Sequence, residues 1–205
     1  MKPSILLRTK FMIPRQGTDR LPRPHLLEWL EKHIDRRLIL ISAPPGYGKT
    51  TLLADLAITT TLPVGWYQLD PADNDPTVFL TYLLETLRQI EGASNLGESA
   101  KTLLDSVDGE LSPLRILTVL INELTDCLTG DWMVILEDYH LITNPALHNL
   151  VDYLLGKMFP APGLHVLIST RVDPSLALPR LRARGMLAEL RTRDLRLLRE
   201  KFVLG

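Results

Sequence analysis

Between residues 41 and 53 the chain reads ISAPPGYGKTTLL, and several of these residues have types and spacing suited to one chemistry. Gly46 and Gly48 let a backbone wrap until its N–H groups converge. The helix expected next would add the positive end of its dipole, so the segment reads as a cradle for phosphate. Lys49 would reach the outer phosphates of a nucleotide, Thr50 would set its hydroxyl on Mg2+, and Pro45, Tyr47 and Thr51 would complete the loop. Ala43 stands where the pattern G-x-x-x-x-G-K-[ST] has its first glycine, a substitution that a residue of negative φ tolerates.

A second group lies in MVILED, 133 to 138, where four apolar residues run into two carboxylates. If this is a strand parallel to the one before the loop, both acids emerge at the edge that carries Lys49 and Thr50. Glu137 would then hold the Mg2+ shell and Asp138 would orient or deprotonate a water. Arg171, in ISTRVDP, would reach the same edge and meet a terminal phosphate. Arg180, Arg182 and Arg184 read as a solvated helix face, His140 as a packing or orienting residue, and Trp66 and Tyr67 as core. Asp70, Asp73 and Asp75 lack the glycine and distal glutamate of a calcium loop and read as a turn. Cys127, the one cysteine, reads as a small buried residue and excludes an internal disulfide framework.

Something must hold these residues at one edge, and the chain supplies an alternation of short β-rich runs with helical patterns. Continuous apolar runs at 38 to 42, 64 to 69, 132 to 137 and 164 to 169 predict buried strands, with a fifth at 186 to 190. Helices are expected from Pro24 with Leu26, Leu27, Leu30 and Ile34 on one face, from Thr77 to Ile90, from Pro113, and from Pro145 to Lys157. Residues 92 to 111, with Gly92, Gly97 and Gly109, read as a loop or broken helix. The prediction is a three-layer α/β fold around a mostly parallel five-stranded sheet. In domain terms, 1–36 form a lead-in segment and helix, 37–195 the core, and 196–205 a divergent tail.

A net charge of -1 gives no global positive field for holding nucleic acid. The charge is uneven all the same. From Arg171 onward there are nine basic and four acidic residues, so the first 170 carry a surplus of six acids. With no signal peptide pattern and no run of 18 apolar residues, a cytoplasmic protein without a membrane partner is expected.

Taken together, SAPPGYGKTTLL, ILEDYHLI, STRVDPSLALPRLRARG, LLRTKFMIPR and RPHLLEWLE resemble the ATPase domain of MalT-like, large ATP-binding LuxR-type transcription regulators, in the family's order, over about residues 5 to 195. These belong to the STAND class of P-loop ATPases, of ASCE type. The resemblance implies ATP, ADP and Mg2+ as ligands and a switch: an ADP-bound resting form, an ATP-bound multimer assembled on an inducer, and slow hydrolysis as reset. It makes Gly46, Gly48, Lys49 and Thr50 the phosphate loop, Glu137 and Asp138 the Walker B acids, and Arg171 the sensor, and it places Arg23 and Pro24 near the adenine. The family's first Walker B aspartate is here Glu137, a methylene longer. Residues after Asp194-Leu195-Arg196 drift from the usual continuation. The resemblance also implies a winged helix, a helical-repeat sensor for the inducer and a helix-turn-helix for DNA, so neither inducer nor DNA binding is assigned to these residues. Self-association or pairing with a full-length regulator is the expected protein contact. Two other readings are a non-hydrolysing interaction module that uses nucleotide structurally and, on the loop alone, a metabolic kinase.

Overall fold

In LILIS the first four side chains, 38 to 41, are apolar and point alternately to both sides, so a strand built from it must be covered on both faces. The computed structural model describes residues 6–15, 17, 21–90, 92–106, 112–157 and 163–196. In it β1 (Leu38–Ser42) is buried at all five positions. It lies in a parallel sheet with β2 (Val64–Gln68), β3 (Trp132–Glu137), β4 (Leu164–Thr170) and β5 (Leu187–Arg191), in the order β2-β3-β4-β1-β5. Alternation along the strands divides the interior in two. Leu38, Leu40, Val134, Leu136, Val166 and Ile168 face one core, and Ile39, Ile41, Met133, Ile135 and Leu167 the other.

The second core is closed by α1 (Pro24–Lys32) and α2 (Lys49–Thr59), the first by α3 (Pro76–Arg88), α4 (Glu98–Leu104), α5 (Pro113–Cys127), α6 (Pro145–Lys157) and α7 (Leu178–Ala183). The predicted three layers are therefore present, with all four strand pairings parallel. Leu26 and Leu30 are buried from α1, while Leu27 and Ile34 pack only partly against the same core. Among the described residues, no helix is long and apolar enough to cross a membrane.

One reading is made definite and one is corrected. Of the two alternatives for 92 to 111, the broken helix holds over 98–104, where α4 is begun by Gly97 at φ 71° and packed through Ala100, Leu103 and Leu104. Gly109 lies outside the described residues. Cys127 is exposed at the last turn of α5, where Leu128 instead turns inward to close the core. Arg180, Arg182 and Arg184 are exposed on and just after α7, and Arg182 pairs with Glu189.

The stretch Asp70, Asp73 and Asp75 is a turn, but each acid has a separate task. Asp70 caps a 3-10 turn over Pro71–Asn74, and Asp75 caps α3 by accepting from the N–H groups of Thr77 and Val78. Asp73, fully buried, takes both oxygens to Lys10 Nζ at 2.7 Å, and Asp70 meets the same ammonium at 2.9 Å. Burial alone would pull the Lys10 pKa down, but the two carboxylates outweigh it and raise it. That stabilisation is complete below the ordinary lysine value and is lost only as alkaline pH passes the folded one. Lys10→Met leaves Asp73 buried without a cation, and the expected loss is about 3 kcal/mol, measured by urea unfolding at pH 7.

Candidate functional site

The phosphate-loop segment has the conformation its glycines foretell. Gly46 and Gly48 have φ of 85° and 69°, in the left-handed region that side chains resist. A Cβ at Gly46 would meet nothing within 4 Å, so this glycine answers to backbone conformation and not to crowding. Gly48 stands at the N-cap of α2 and offers no side chain to accept from the helix N–H groups, and the first turn carries no acid. The leading N–H groups of this helix are therefore open toward an anion.

Lys49 is buried, and its Nζ donates to the carbonyls of Ala43 at 2.7 Å and Pro44 at 3.2 Å. Burial lowers its pKa; the carboxylates of Glu137 and Asp138 oppose that, and the Arg171 charge adds to it. Ala43 is buried and is absent from the positive-φ residues, as its place in the pattern requires. Pro45 and Thr51 are exposed, and Tyr47 is half-buried. Arg23 reaches the loop from the start of α1, donating to the Tyr47 carbonyl at 2.8 Å and to that of Leu195 at 3.4 Å. It lies so close that a Cβ on Gly48 would come within 2.9 Å of its Nη2.

The acids arrive from β3. Register pairs Gln68 with Glu137 and Ser42 with Thr170, so the strands end together beside the loop. Glu137, 1% exposed, accepts through Oε1 from the Thr50 hydroxyl. Its Oε2 and the neighbouring strand's Ser169 Oγ are buried with no hydrogen-bond partner among the described residues. Burial pushes the Glu137 carboxyl above its ordinary range, with the neighbouring Thr50 and Ser169 hydroxyls and Lys49 opposing and Asp138 reinforcing. A buried carboxylate with an unused oxygen, touching a hydroxyl at a helix N-terminus, is a hard-oxygen set that fits Mg2+, which takes few protein ligands and keeps its waters. The fit extends to Thr50 and Glu137 alone.

Asp138 is the one non-glycine residue with positive φ, 59°, among those described. Its Oδ2 accepts from Gln68 Nε2 at 2.8 Å, and His140 Nδ1 lies 3.7 Å from Oδ1. Burial lowers the His140 pKa, the Arg171 charge adds to this and Asp138 opposes it, which favours neutral imidazole. Arg171 follows β4 directly, and because β4 lies between β1 and β3 it emerges between the loop and the acids. The sheet thus brings together Lys49, Thr50, Glu137, Asp138 and Arg171, and Arg23 reaches the loop from the start of α1. Trp66 and Tyr67 are buried in the core. Gln68 had no signal beyond its place at the end of a strand, because its partner lies 70 residues away.

No family model matches the chain. The transcriptional regulator MalT of Yersinia pestis (strain Pestoides F) is 34% identical over 187 residues, 91% of this chain and 20% of that protein. MalT of Yersinia enterocolitica serotype O:8 is similar to the same extent. The chain thus spans about a fifth of the length of the curated relatives it matches. Among solved structures, a STAND protein with a tetratricopeptide repeat sensor from Pyrococcus horikoshii superposes with a TM-score of 0.56 at 19% identity, covering 86% of this chain and 24% of that one. Cdc6p from Pyrobaculum aerophilum superposes with a TM-score of 0.55 at 18% identity, covering 90% and 49%. These two show the fold. With MalT likeness running along nearly all of its length and a parallel sheet that superposes on these proteins, the chain is a MalT-like domain with the α/β fold of P-loop ATPases.

Proposed function

We propose that this chain binds adenine nucleotide with Mg2+, hydrolyses ATP slowly, and uses the difference between its ATP and ADP forms as a conformational or assembly switch in a MalT-like regulator. The observation that supports this most is the contact of Thr50 with Glu137 beside the unpartnered Glu137 Oε2, one residue from Lys49. Lys49 exchanges its loop carbonyls for β- and γ-phosphate oxygens, and the N–H groups opening α2 bind the same anion. Arg171 neutralises charge that grows on the terminal phosphate. Asp138, whose carboxylate is oriented by Gln68, orients the attacking water and takes its proton, so that ATP and water give ADP and phosphate. When bound, Mg2+ offsets phosphate charge, and Thr50 and Glu137 are the residues that would hold it.

Inducer and DNA belong to parts of the regulator outside these residues, and the protein contact is a second copy or a full-length homologue. A cytoplasmic setting follows from the same reading. The second reading is a module that binds nucleotide without turnover; Glu137 in place of the family's aspartate favours it.

Nucleotide released from the heat-denatured purified protein, followed by a turnover assay with Mg-ATP, tests the proposal. Adenine nucleotide and slow phosphate release are expected, with Asp138→Asn lowering turnover roughly a hundredfold and leaving ADP affinity unchanged. Bound nucleotide without turnover favours the second reading. No bound nucleotide, and no thermal shift with ATP or ADP, overturns both.

A further inference from the structure

Asp138 holds a conformation that costs a side chain about 1 kcal/mol or more, and such residues persist only where their surroundings over-determine them. Part of that restraint is local. Leu141 N donates to the Asp138 carbonyl at 3.0 Å, and the buried Tyr139 meets His148 Nδ1 at 3.1 Å. Gln68 holds the carboxylate itself, and the segment that follows is held by Asn74, in the loop between β2 and α3.

The Asn74 side chain is saturated at both ends. Nδ2 donates to the carbonyls of Leu141 at 2.8 Å and Pro71 at 3.1 Å. Oδ1 accepts from the N–H groups of Thr143 at 2.7 Å and Asn144 at 3.0 Å, and from the Thr143 hydroxyl at 3.3 Å. Two carbonyls at one end and two N–H groups at the other leave one orientation for the amide. The Asn144 side chain returns the contact by donating to the Asn74 carbonyl at 2.9 Å. Asn74 is itself anchored: the preceding residue, Asp73, is gripped by Lys10, and the following one, Asp75, caps α3. One side chain therefore ties the segment just after the second Walker B acid to a rigid part of the molecule.

From this we infer that Asn74 is a positioning residue for Asp138, acting through the 139–144 segment so that the carboxylate stays registered between Gln68 and the phosphate loop. The inference rests on the proposed role of Asp138. Small misplacements of a water-orienting group cost rate and spare binding, because the phosphates are held by other residues. Asn74→Ala should lower kcat roughly tenfold while KM for Mg-ATP and the Kd for ADP stay within about twofold. Amide exchange at Thr143 and Asn144 should quicken, since both lose their acceptor. Asn74→Asp keeps an oxygen for those N–H groups and should recover part of the rate, and it serves in place of the alanine variant should that one fail to fold.

The deciding measurement is a double-mutant cycle on the full chain. If Asn74 acts through Asp138, Asn74→Ala in an Asp138→Asn background causes no further loss. Wild-type turnover in Asn74→Ala, or an equal loss in both backgrounds, overturns the inference and leaves the role of Asp138 intact. Full turnover in Asp138→Asn alone, or no turnover in the wild type, overturns that role and this inference with it.

Discussion

Lys49→Ala should weaken the binding of ATP and ADP on the order of a hundredfold while the protein still folds. The Lys49 ammonium lies inside the loop, held there by the carbonyls of Ala43 and Pro44. Charge-assisted hydrogen bonds to phosphate are worth about 1.5–3 kcal/mol each, so losing them weakens affinity on the order of a hundredfold. Isothermal titration with ADP reads this directly, and undiminished affinity would end the proposed function. Stability should move little, because the residue is a buried charge that the fold holds at a cost. The folded pKa lies below the ordinary 10.5, so between the two values the unfolded chain carries more protons and stability rises with pH. Any advantage in melting temperature that Lys49→Ala shows at pH 7 should therefore shrink as pH approaches the ordinary lysine value.

Glu137→Gln separates metal from nucleotide. The amide oxygen still accepts from Thr50, but the charge that would hold Mg2+ is gone. In the wild type, Mg2+ should tighten ATP binding and support turnover; in the variant the metal dependence should disappear and turnover should fall at least about a hundredfold. The ligand-free variant should also be more stable at neutral pH, by about 1 kcal/mol or roughly 3 °C in Tm. Here the folded state raises the carboxyl above its ordinary 4.5, so it holds the proton more tightly than the unfolded chain does. Stability is therefore lost as pH rises from 4.5 through the folded value, and the advantage of the glutamine should fade as pH falls toward the ordinary carboxyl range. Calorimetry at several pH values with EDTA present checks it; an advantage independent of pH would mean that Glu137 is not the buried anion described here.

The two predictions concern residues legible in one dimension. A loop that binds phosphate is a local object: an apolar strand, two glycines and a helix start within 13 residues. The acids closing β3 were readable for a similar reason, since a run of buried residues that meets charge has reached the end of a sheet. Strand bounds moved by a residue or so, β4 running to Thr170 and β5 starting at Leu187, because the last ladder hydrogen bonds depend on neighbours. For 92 to 111 the sequence leaves loop and broken helix open, because the seven residues of 98–104 make barely two turns and show no period. Cys127 was misplaced because residue type predicts burial only on average, and the last turn of a helix can lie past the layer it covers.

What the sequence determined by itself was therefore the alternation of strands and helices, the glycine-built loop between β1 and α2, and the acids and arginine at strand ends, all set by periodicity and turn chemistry over a few residues. The tertiary structure decided who meets whom across long separations. Strand order alone puts Arg171 between the loop and the acids. It also seats Gln68 on Asp138 and Lys10 on Asp73, and it spends Asn74 on Thr143 and Asn144. These are single polar contacts between residues 63 to 70 positions apart, and no local propensity encodes them. They arise because burying the two apolar cores fixes the sheet, after which each buried polar group must find a partner at the place where the backbone has left it.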